Sequence, residues 1–147
     1  MVNDLKNFRK RFGLGCPTMP QLLSPDALQF RQTLMDEELQ EFRDAHAAGD
    51  LPEAADALID LVYVAIGCAL EMGLPWEELW ADVQRANMSK VRAAKPSDSK
   101  RGSTYDVVKP SGWVPPQGAA IIARATARAE REAAKPPHQQ LTFTDSE

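Results

Sequence analysis

The segment LPEAADALIDLVYVAIGCALEMG, which begins at Leu51, limits what this chain can fold into more than any other. It is apolar around most of a helix and yet carries Glu53, Asp56 and Asp60. With about 100° of turn per residue, Asp56 and Asp60 fall within about 60° of Glu53, and Gly67 and Glu71 continue the same stripe. Leu58, Ile59, Leu61, Val62, Ala65, Ile66, Ala69 and Leu70 occupy the remaining directions. A helix that is apolar nearly all round belongs in the interior, so its acids are expected to form one narrow stripe on a buried central element.

The rest of the chain reads as helix with few strand signals, which gives an all-α fold. A short helix is expected over residues 3–12, followed by the Gly- and Pro-containing loop GLGCPTMPQLL. The first long helix opens at SPDALQF, where Ser24 caps, Pro25 suits the first turn and Asp26 complements the positive end of the dipole. It runs over 25–48 and closes at Gly49-Asp50, the second follows over 51–72, and a third over 75–92. Connections this short make the helices antiparallel neighbours in a bundle. From Lys95 the texture changes to a long loop rich in Pro, Ser, Gly and Lys over 93–117, with a brief extended piece at TYDVV. Residues 1–117 are expected to form the functional domain and 118–147 a tail, helical over 118–134 and disordered at its end.

At 147 residues, 44% of them hydrophobic, the chain has the size of one domain. No run approaches the roughly 18 apolar residues of a membrane span and the N-terminus lacks a secretory pattern, so a cytoplasmic protein is expected. The net charge of −4 argues against a nucleic-acid polymer as partner. Cys16 and Cys68, a single pair far apart in sequence, are read as reduced thiols.

The first long helix repeats the acid arrangement. Glu38 and Glu41 sit within about 40° of Leu34, on the stripe of Ala27, Phe30 and Ala45, with Glu37 at its edge. Facing carboxylates in an interior must be protonated, paired or metal-bound. Arg31, Arg85 and Lys90 are the bases placed to reach inward, too few for Glu37, Glu38, Glu41, Glu53, Asp56 and Asp60. A hard divalent cation held by oxygen ligands, Mg²⁺ or Mn²⁺, accounts for them better. His46 and His138 do not have the Glu-x-x-His spacing of a di-iron bundle. On the third helix Asn87 and Lys90 share a stripe with Val83, Leu79 and Trp76, where an amide and an ammonium can hold phosphate oxygens. The bland alternatives are a solvated acidic face, a C-terminal lysine that suits the helix dipole, and a solvated linker in place of a phosphate lid at Lys95, Lys100, Arg101 and Lys109. Trp76 and Trp80 are expected in the core; Tyr105 and Trp113 are either packing anchors or base-stacking groups.

Glu38-Leu-Gln-Glu41 followed by Glu53-Ala-Ala-Asp56 resembles the ExxE…ExxD signature of the all-α NTP pyrophosphohydrolases, the MazG-like and phosphoribosyl-ATP pyrophosphohydrolase-like superfamily. The likeness continues in DALIDLVYVAIGCALEMG and RANMSKV, and the KP-x-GW-x-PP ending, Lys109 to Pro116, is similar to the phage and bacterial single-domain branch. This resemblance implies an antiparallel bundle completed by a homodimer or homotetramer. It also implies Mg²⁺- or Mn²⁺-dependent hydrolysis of a nucleoside triphosphate to the monophosphate and pyrophosphate. Glu38, Glu41, Glu53 and Asp56 match the metal ligands, which implies two or more ions; Glu37 and Glu38 match the catalytic positions, Glu37 orienting or deprotonating the attacking water. Asn87 and Lys90 match nucleotide-contacting positions, and Asp60, Lys109 and Trp113 are further candidates, Asp60 as a metal ligand, a support to one, or a sugar contact. The ending leans towards a purine deoxynucleotide such as dGTP. Phosphoribosyl-ATP hydrolysis and a non-catalytic helical binding module are the rival expectations.

Overall fold

The Ser24 hydroxyl accepts a hydrogen bond from the Ala27 N–H, and Pro25 follows at the start of the helix, where a missing N–H costs nothing. The computed structural model describes residues 1–136. Its helices are α1 (Val2–Arg11), α2 (Pro25–Ala48), α3 (Leu51–Glu71), α4 (Trp76–Met88) and α5 (Gly118–Ala133), and its strands β1 (Val91–Arg92) and β2 (Val107–Val108). The fold is all-α with a two-stranded accessory, as the sequence pattern predicts. His138 and the end of the tail lie outside the described residues.

Contacts divide the chain into two units, Met1–Trp76 with the part from Arg124 onward, and Glu77–Ala123. The boundary expected at 117/118 falls inside the second of these. In the first unit, Gly49 at φ 72° closes α2 in the left-handed conformation, and the Asp50 carboxylate accepts from the Glu53 N–H at 3.1 Å to open α3. This two-residue connection folds α2 and α3 into an antiparallel pair, with α1 packed on α3. Buried Ala45, Ala54 and Ala57 let the helices approach closely. Leu5, Ile66 and Leu70 form the core, and Tyr63 and Trp76 pack against it. The loop between α1 and α2 passes directly over Gly73, whose φ is 66° and where an added Cβ would lie 2.5 Å from the Met19 carbonyl oxygen.

The expectation that α3 is buried all round is corrected. Its C-terminal half is buried at Ile66, Gly67, Ala69 and Leu70, but Leu51, Leu58, Ile59 and Val62 are exposed, Ile59 by 66%. Neighbouring helices of one chain cover part of this helix and leave an apolar side bare. Trp80, expected in the core, is 60% exposed.

In the second unit, α4 ends at Met88, short of the expected 92. Its last carbonyls are claimed by other groups: the Ser89 hydroxyl and the Trp113 indole N–H both donate to the Ala86 oxygen, at 2.8 and 2.7 Å. The β-branched Val91 then enters β1, which pairs antiparallel with β2, Val91 opposite Val108 and Arg92 opposite Val107. The extended piece expected at TYDVV is β2. Helix α5 passes from the second unit into the first at Arg124, and Ile121, Ala125 and Ala129, at i, i+4 and i+8, are its buried residues.

Candidate active site

Helix α2 presents Glu37, Glu38 and Glu41, and α3 presents Glu53, Asp56 and Asp60. Antiparallel pairing brings the two sets to one face. The Glu38 carboxyl is held above its ordinary pKa, first by loss of hydration and then by the charges of Glu41, Asp60, Glu37 and Asp56. Four of the other five predicted acids therefore act on Glu38, and Glu53, one turn before Asp56, is not among them.

Their burial differs from expectation. Only Glu38 is half-buried, and the other five acids are exposed. Leu58, Ile59 and Val62, which were expected on buried sides of α3, are exposed as well. Among the described residues none of the six makes an ion pair. The bases expected to reach them are engaged otherwise: Arg31 pairs with Glu71 at 2.5 Å and Arg85 with Asp82 at 2.8 Å, while Lys90 stands over Trp113, 5.9 Å from the ring centre.

Among the described residues no three acid, histidine or cysteine side chains converge as a ready-made metal cage. The donor set still suits a hard cation. It is all oxygen, it is crowded enough to raise Glu38, and among the described residues no cation pairs with it. Mg²⁺ characteristically takes one or two carboxylates and completes its shell with water and substrate phosphates, which an open acidic face allows.

Asn87, Lys90, Lys109 and Trp113 all belong to the second unit. Asn87 is exposed near the end of α4, and Lys90 has left the helix. One step beyond the β1–β2 ladder the register sets Lys90 across from Lys109, and both ammonium groups lie over Trp113, Lys109 at 4.4 Å from the ring centre. Two like charges directly opposed across strands are unfavourable, and the indole face offsets part of that. The hairpin walls a pocket of about 490 Å³ whose charged lining is Lys90, Lys100, Arg101 and Lys109 against Asp98 and Asp106. The Ser99 hydroxyl and then the Arg101 guanidinium hold Asp106 below its usual pKa, with Ser99 donating at 2.6 Å. The role of Asp106 as the hairpin's anchor was not legible in the sequence, where it is one acid in a loop.

Arg9 was missed as well. It is 5% exposed, donates to the Gly15 carbonyl at 3.0 and 2.7 Å, and lies 3.7 Å from Glu71. Glu71 thus joins α1, α2 and α3 through two arginines. Cys16 and Cys68 are free thiols, as expected.

An all-α chain with acids gathered from two antiparallel helices fits the MazG-like all-α NTP pyrophosphohydrolase superfamily. The family profile described as phosphoribosyl-ATP pyrophosphohydrolase matches residues 5–87, more than half of the chain, and the chain belongs to that family. No curated protein matches it. Membership puts the chain among nucleotide pyrophosphohydrolases, hydrolases of phosphoanhydride bonds whose members typically depend on divalent metal. Among the described residues no helix is long and apolar enough to cross a membrane.

Proposed function

We propose that this protein hydrolyses a nucleoside triphosphate, with a purine deoxynucleotide such as dGTP as the preferred class, to the monophosphate and pyrophosphate. The observation that carries the reading is the set of acids around Glu38, gathered from two helices and, among the described residues, paired with no cation. Glu38, Glu41, Glu53 and Asp56 would hold Mg²⁺ or Mn²⁺. A bound cation of this kind offsets phosphate charge and lowers the pKa of water. Glu37, exposed beside Glu38, is assigned to orient the attacking water and accept its proton, and Asp60 to support the ligands or meet the sugar. Asn87, Lys90 and Lys109 are assigned to sugar or phosphate oxygens, and Trp113 to fixing the two lysines. The test is incubation with each dNTP and Mg²⁺ or Mn²⁺. Pyrophosphate release is expected, and a folded protein that releases none from any of them refutes the reading.

The family description favours phosphoribosyl-ATP as the second candidate substrate, and the same assay with that compound decides between them. The non-catalytic reading needs the acids as structural ion pairs, and among the described residues the six make none.

We further assign the bare side of α3 to a homodimer or homotetramer contact. Leu51, Leu58 and Val62 are exposed at i, i+7 and i+11, the spacing at which one helix packs along another. Val62→Asp is expected to lower the mass measured by light scattering, and an unchanged mass removes this contact.

A further inference from the structure

The α2–α3 groove continues past the acids. Moving towards the N-terminus of α2 and the C-terminus of α3 leads from Glu38 and Asp60 to Leu34 and Tyr63 within about 5 Å, one turn. Arg31 and Gly67 follow one further turn on, about another 5 Å. There the groove meets a pocket of about 370 Å³, lined by Phe8, Phe30, Arg31, Leu34, Tyr63 and Gly67 among others. Its chemistry contrasts with the acidic stripe: three aromatic rings, aliphatic groups and a guanidinium. Phe30 is 59% exposed and Phe8 42%, and Phe8 meets Tyr63 edge-on at 5.6 Å. Exposed rings bordering a concave surface offer flat apolar area for a flat partner.

Arg31 gives the pocket its polarity. Its Nε and Nη2 donate to Glu71 at 2.7 and 2.5 Å, which fixes the plane of the guanidinium. Nη1 has no hydrogen-bond acceptor among the described residues. The group also lies 5.7 Å from the Phe30 ring centre. A donor held in place beside aromatic walls suits a planar ligand that presents acceptors.

We propose that this pocket receives the base of the nucleotide and that Arg31 selects a base carrying carbonyl and ring-nitrogen acceptors side by side, as guanine and hypoxanthine do. The inference rests on the nucleotide reading above, and it adds the residues that set specificity. Arginine N–H groups match the O6 and N7 acceptors of guanine, whereas adenine turns an amino donor towards a donor. The one or two turns that separate the pocket from the acids correspond to the sugar that links base and phosphates. Stacking on Phe30 supplies affinity without choosing the base; Arg31 supplies the choice.

The experiment is calorimetric titration of the full chain with dGMP, dIMP and dAMP in EDTA, with 7-deaza-dGMP as a probe that needs no mutation. Expected are binding of dGMP and dIMP about tenfold tighter than dAMP, weaker binding of the 7-deaza compound, and about tenfold loss for dGMP in Phe30→Ala with an unchanged circular dichroism spectrum. Equal binding of dGMP and dAMP, unchanged binding in Phe30→Ala, or no binding of any of them because a second copy of the chain fills the pocket, each overturns the proposal. Because no metal is present and no bond is cleaved, these failures leave the hydrolysis reading standing. A chain that binds dGMP but releases no pyrophosphate from dGTP refutes only the hydrolysis reading.

Discussion

The acidic face of α2 and α3 concentrates one sign of charge, whereas the hairpin around β1 and β2 sets Lys90, Lys100, Arg101 and Lys109 against Asp98 and Asp106 and neutralises part of its charge by pairing Arg101 with Asp106. Among the described residues the six acids make no ion pair, and Lys90, Lys100 and Lys109 make none. Self-repulsion of this kind opposes folding, so it is retained where a ligand of opposite sign completes the balance. Taken separately, the acids suit a cation and the lysines an anion. The regions also differ in what they share with relatives. The family match over residues 5–87 includes every predicted acid and ends before Lys90.

The sharpest break in the comparison is Glu38→Gln or Asp56→Asn. Pyrophosphate release is expected to fall by roughly two to three orders of magnitude, while the melting temperature holds or rises as repulsion is relieved. Equal activity would remove the acids from the chemistry. On the hairpin, Lys109→Ala is expected to raise KM about tenfold and leave kcat within about twofold, with the difference shrinking as salt is added. A fall in kcat alone would give Lys109 a different role. Gly73→Ala serves as a stability control: strain at positive φ and the blocked approach of Met19 should cost about 2 kcal/mol by chemical denaturation, with the activity of the folded fraction unchanged.

The smallest effect is the most discriminating, because the two regions should respond to acid with opposite sign. Glu38 has a raised folded pKa, so its favourable contribution is present below the ordinary carboxylate value and is lost as pH rises through the folded one. Asp106 has a lowered folded pKa, so its contribution is present above the ordinary value and is lost as pH falls through the folded one. As pH falls into the ordinary carboxylate range, hydrogen exchange should show protection gained near Glu38, and below that range protection lost in the hairpin. Over the same upper range affinity for Mn²⁺ should fall, since a protonated Glu38 cannot ligate.

Much of the helical framework was legible because its signals are local. Ser24, Pro25, Gly49 and Asp50 punctuate α2 and α3 within a few residues of where the helices begin and end, and the expected span 25–48 is the observed one. Angular spacing alone groups the acids of each helix on one stripe. It does not give their burial, because apolar periodicity shows which sides of a helix would accept cover and is silent on whether one chain supplies it. Leu58, Ile59 and Val62 look like core in the sequence and are bare in the fold.

The sequence by itself determined the helices, their caps and the types of residue on each stripe, since these follow from interactions over one or two turns. Only the tertiary structure decided which acids meet, where α4 stops and what surrounds Lys90. Those depend on partners distant along the chain: the Trp113 indole that closes α4 bonds a carbonyl 27 residues away, and Arg31 finds Glu71 across 40. Contacts of that range are set by how elements pack, and no local pattern encodes them.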